Sequence, residues 1–87
     1  MTWSLDQTVR VGDVACIPIV ETVVSVRGGK TSLAVRCEKQ PVLFLVFRNG
    51  DVIALDVLGR RCNVEDIERE YPDAIRRAKT RLAGNGG

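Results

Sequence analysis

The sequence predicts an α+β fold: an antiparallel meander of four to five strands, flat or curled into a half-barrel, with a kinked C-terminal helix packed on one face. Three observations carry this. Two apolar runs, residues 40–47 and 52–58, flank Asn49-Gly50, a pair suited to a two-residue hairpin turn because both central positions need positive φ. Residues 31–39 alternate in polarity, with Leu33, Val35 and Cys37 on one side and Ser32, Ala34, Arg36 and Glu38 on the other. Finally, Ile67, Tyr71, Ile75, Ala78 and Leu82 recur at helical spacing.

Element by element, residues 1–8 show little pattern and are expected to be weakly ordered. A single domain spans residues 9–83, and residues 84–87 form a glycine-rich tail. Gly12-Asp13 reads as a turn. Pro18 cannot donate to a ladder, so a break is expected there, with residues 19–27 as the cleaner strand. Arg27-Gly28-Gly29-Lys30 is a second turn, and Pro41 is expected to separate residues 31–39 from the central hairpin. The hairpin register follows from its turn: Arg48 faces Asp51, Phe47 faces Val52 and Val46 faces Ile53. Asn63 caps a helix that starts at Val64, with Asp66 as a loose capping-box partner. Pro72 then forces a kink or restart before a second helix to about Leu82.

Both faces of the central hairpin are apolar. One carries Val42, Phe44, Val46, Ile53, Leu55 and Val57; the other carries Leu43, Leu45, Phe47, Val52 and Ala54. One helical stripe covers one face. The face around Leu43, Leu45, Phe47 and Val52 is therefore expected to meet a protein partner or a second copy, giving a homo-oligomer, most simply a dimer.

Chemistry is restricted by what the 87 residues lack. With no histidine, imidazole base catalysis, Ser–His and Cys–His nucleophiles and imidazole metal ligation are out of reach. Cys16, Cys37 and Cys62 lack the close spacing of a zinc site and, being odd in number, do not read as a disulfide framework. Their reduced state fits a cytoplasmic protein. Only Cys62, after Arg60-Arg61 and before the cap, is placed for thiolate activation, and a small structural residue explains it better. Gly28-Gly29-Lys30-Thr31 lacks the earlier glycine of a phosphate loop, since position 24 is valine. No catalytic residue, cofactor or metal is expected, and no signal peptide or membrane span is read.

Net charge is +2, and the excess lies in residues 59–87, with seven basic against five acidic groups. Arg76, Arg77, Lys79 and Arg81 make nucleic-acid binding the alternative function. A helix whose first turns are acidic and last turns basic already accounts for that order through its dipole.

The order Val11-Gly12-Asp13, Ile17-Pro18-Ile19-Val20-Glu21, Gly28-Gly29, Pro41-Val42-Leu43-Phe44-Leu45, Asn49-Gly50-Asp51 and Tyr71-Pro72-Asp73 resembles the GerW (YtfJ-type) sporulation and spore-germination family. The resemblance covers roughly residues 9–78. It implies a bacterial protein with no catalytic residues to carry over. The long glycine-rich stretch of that family is reduced here to Gly28-Gly29.

Overall fold

The computed structural model describes residues 2–84. It contains β1 (Thr2–Leu5), β2 (Val9–Val11), β3 (Val14–Gly28), β4 (Leu33–Arg48), β5 (Asp51–Asp56), β6 (Arg61–Cys62), α1 (Val64–Glu70) and α2 (Ala74–Gly84). The α+β class and the antiparallel sheet are as the sequence predicts. The sheet is open, has six strands in the order β1-β3-β4-β5-β6 with β2 also on β3, and carries two helices.

Two prolines do not break the chain where expected. β3 runs through Pro18, whose missing N–H lies on the side of β1, where its carbonyl accepts from the Asp6 N–H at 2.9 Å. β4 runs through Pro41, where the register against β3 shifts between Ile19 and Val20 and leaves Val42 as the extra residue of a bulge. The proline falls on the outer edge of β4, beyond the reach of β5, so no ladder bond is lost. The shorter strands read from the sequence thus fuse into two long ones.

The N-terminus also differs from expectation. Residues 2–5 form an edge strand in register with β3, with Trp3 opposite Glu21 and Leu5 opposite Ile19. Trp3 and Leu5 pack against the core, which holds a segment that its weak sequence pattern leaves unassigned. The tail expected at residues 84–87 lies outside the described residues except for Gly84, which ends α2.

The central hairpin forms as read, with Arg48 opposite Asp51 and Phe47 opposite Val52. Asn49 at φ 52° and Gly50 at φ 83° make the turn. A Cβ on Gly50 would touch nothing within 4 Å, so its need for glycine is purely conformational. Gly50→Val is expected to cost roughly 1–2 kcal/mol, seen as a lower urea midpoint with an unchanged slope.

Asn63 caps α1, its side-chain oxygen accepting from the Glu65 N–H at 2.9 Å. The Asp66 carboxylate turns instead to Arg69 at 3.1 Å. At Pro72 the chain restarts: Tyr71 leaves helical geometry, Asp73 takes φ 66°, and α2 begins at Ala74. Ile67, Tyr71, Ala74, Ile75 and Ala78 face the sheet and pack on Ala15, Ile17, Ile19, Leu43, Leu45, Phe47 and Ala54. Alanines on both sides of that contact let the helices lie close to the strands.

Candidate functional site

Alternation along the strands puts a second apolar set on the side away from the helices. It comprises Val14, Cys16 and Pro18 of β3, Phe44 and Val46 of β4, and Ile53 and Leu55 of β5, all half-buried by their sheet neighbours. Val9 and Val11 of β2 extend it opposite Cys16 and Val14. At the usual strand spacing and rise this patch projects about 400 Å², the size of the largest apolar patch on a typical monomer, which is often functional. Charge lies only at its rim. Arg48 stands across from Asp51 and reaches Asp13 at 3.4 Å, and Arg61 sits opposite Leu55. Burial pushes the Cys16 thiol pKa up, so this cysteine is protonated and acts as a small apolar group.

The interface expected around Leu43, Leu45, Phe47 and Val52 is corrected by this geometry. Leu43, Leu45 and Phe47 are buried under α1 and α2, and Val52 packs against the same core. The apolar surplus of the hairpin is real, but its uncovered half is the Phe44, Val46, Ile53 and Leu55 side. Ala15 and Ala54 hold the signal for that choice. Small residues on one face leave room for helices, whereas Pro18 and Phe44 on the other do not.

Of the basic residues considered for phosphate contact, three have partners within the chain while Arg76, Arg77 and Lys79 stay exposed. Arg76 pairs with Asp73 at 3.1 Å. Arg77 lies over the Trp3 ring, 5.2 Å from its centroid. Arg81 donates to the backbone carbonyls of Asp6 and Leu5, tying α2 to the end of β1. Lys79 alone keeps an exposed position without such a partner among the described residues.

Cys62 lies on β6, half-buried, and packs against the core beside the Arg60 carbonyl at 3.7 Å. The turn before it is organised by Asp56, whose carboxylate accepts from the N–H groups of Leu58 and Arg60 and from the Arg60 side chain, each at 2.9 Å. Those bonds, the Arg60 backbone first, lower the Asp56 pKa. Among the described residues, no three His, Cys, Asp or Glu side chains are grouped to hold a metal, and no helix is long and apolar enough to cross a membrane.

A second feature was not anticipated. Beyond the bulge and the end of β1, residues 23–28 of β3 and 33–38 of β4 pair only with each other and project from the body as a ribbon. The molecule measures 56 × 30 × 22 Å as a result. Val23, Val24, Val26, Leu33 and Val35 of this arm are all exposed. Its length was hidden by Pro41, which reads as a break.

Comparison with protein-family models, with curated proteins and with solved structures finds no match to this chain.

Proposed function

We propose that this chain is a non-enzymatic interaction module whose open sheet face packs on the same face of a second copy. The observation that carries this reading is the patch of Val14, Cys16, Pro18, Phe44, Val46, Ile53 and Leu55, apolar across its centre and charged only at its rim. That is the distribution of an interface core with a polar border. A twofold relation between sheets would bury identical surfaces about 10 Å apart, as in sheet-on-sheet packing. The absence of histidine from the sequence and the raised pKa of Cys16 leave little for acid–base or thiol chemistry on this face. The resemblance to the GerW family adds only a sporulation-related setting to the proposal.

Ile53 lies on the β5 side of the patch, opposite Val46, so Ile53→Asp places a carboxylate in each half of the contact. Sedimentation equilibrium is expected to show the wild type heavier than one chain and Ile53→Asp shifted toward lower mass, with an unchanged circular dichroism spectrum. A wild type of single-chain mass at all concentrations, or a folded Ile53→Asp protein of unchanged mass, overturns the reading.

A further inference from the structure

The arm points to a second and separate contact. A two-stranded ribbon is marginal on its own in water, yet this one extends β3 and β4 well past the body with valines exposed on both faces. Its β4 side is bare along most of its length. β5 stops at Asp56, opposite Leu43, and no described strand lies beside residues 33–42. Ten residues at about 3.3 Å each give roughly 33 Å of unpaired backbone, the kind of edge on which another strand adds.

The backbone parity of that edge is fixed. The Gly29 N–H donates to the Ser32 carbonyl at 2.9 Å, closing the ribbon. Counting from that pair, Ala34, Arg36 and Glu38 turn their backbone groups to β3. Leu33, Val35, Cys37 and Lys39 turn theirs outward.

We infer that two copies of this chain pair edge to edge through β4, antiparallel, with Cys37 opposite Cys37 on the twofold axis. A twofold normal to the sheet keeps each residue on its own face, so the axis must pass beside a residue, and charge selects which. Centred on Arg36 or Glu38, like charges stand directly opposite, which is destabilising. Centred on Cys37, Arg36 of one copy faces the partner's Glu38, and Glu38 faces the partner's Arg36. Within one chain these two side chains already pair at 2.6 Å, while Arg36 remains 78% and Glu38 44% exposed, so each is free to gain a second partner. The outward set then bonds in register, Val35 with the partner's Lys39 and Cys37 with its own counterpart. Pro41, which has no N–H to offer, falls at the ladder's end opposite the partner's Leu33. Each hairpin tip enters the step left where the partner's β5 ends, beside the exposed Val57 and Leu58. This contact uses an edge and leaves the open face available.

Disulfide cross-linking of the full chain under mild oxidation tests the register. Opposed residues in such a pair stand about 5.5 Å apart at Cα, inside the range of a disulfide. The Cys16→Ser/Cys62→Ser protein is expected to cross-link as a dimer, and Cys37→Ser is expected not to. Charge variants test the pairing independently of the cysteine. In the Ile53→Asp background, which removes the open-face contact, Arg36→Glu and Glu38→Arg should each weaken self-association about tenfold or more, and an equimolar mixture of the two should restore it. Cross-linking of Ile53→Asp at Cys37 should persist, which separates this contact from the open face. Loss of the Cys37 cross-link in the Cys16→Ser/Cys62→Ser protein, or Arg36→Glu and Glu38→Arg chains that associate alone as well as when mixed, overturns the inference.

Discussion

Leu45→Asp is expected to abolish folding, and Phe44→Asp, one residue earlier on the same strand, is expected to fold and lose the open-face contact, seen as a lower mass. Leu45 is fully buried among Ile17, Ala54 and the helices, with no polar group buried near it to receive a carboxylate. A large-to-small change at such a site costs about 2–5 kcal/mol, and an unpaired buried carboxylate adds to it. A domain of this size has a total stability of only about 5 kcal/mol or somewhat more, so the variant has no margin. Phe44 lies on the open face, opposite Pro18 on one side and Leu55 on the other, and is half-buried. There a carboxylate reaches water in the single chain and is enclosed only when a second sheet covers it. Far-ultraviolet circular dichroism together with sedimentation separates the two outcomes. Similar unfolding by both variants would mean that the open face is as enclosed as the helical one. A folded Phe44→Asp protein of unchanged mass would remove the face from the assembly.

This contrast also marks the limit of what the sequence discloses. Asn49-Gly50 determines the register of the central hairpin because turn chemistry is local, and every pair from Arg48–Asp51 back to Phe44–Leu55 is as read. Asn63 and the stripe from Ile67 to Ala78 are equally local, and α1 and α2 follow them. The covered face is different, since it depends on which of two comparably apolar surfaces fits helices better. That decision is made by Ala15, Ala54, Ala74 and Ala78, residues that weigh little in a count of hydrophobic side chains. The arm was hidden for another reason. A proline on an edge costs no ladder bond, but whether Pro41 sits on an edge depends on β5 ending at Asp56, a tertiary fact.

Tyr71 is expected to make this protein sensitive to alkali and to be its most costly polar anchor to remove. Its ring meets Trp3 edge-on, 5.5 Å between centroids at 78°, and its hydroxyl donates to the Glu21 carboxylate at 2.8 Å. Burial raises its pKa to about 12, with the hydrogen bond and charge of Glu21 and the charge of Glu70 acting in the same direction. A folded pKa above the unfolded value, about 10, means that this contribution to stability is complete below pH about 10 and is lost as pH rises through about 12. As Tyr71 is the single tyrosine of the chain, phenolate absorbance reports it alone. The absorbance should titrate near pH 12 in the folded protein. Urea midpoints should fall between pH about 10 and about 12 in the wild type, and more shallowly in Tyr71→Phe, which keeps the ring contact and has no proton to lose. Tyr71→Ala removes the ring as well, and losing a buried aromatic costs about 3–5 kcal/mol, most of the stability of a domain this size. A phenolate titrating near pH 10 in the folded chain would sink the alkaline prediction. The position of the contact gives it a further consequence. Glu21 is the last β3 residue but one to be flanked by β1 before the strand leaves the body, so the Tyr71–Glu21 bond sits at the root of the arm. Tyr71→Phe should therefore lower the rate of Cys37 cross-linking at neutral pH while the body stays folded, because the arm's direction is then held by the ladder alone.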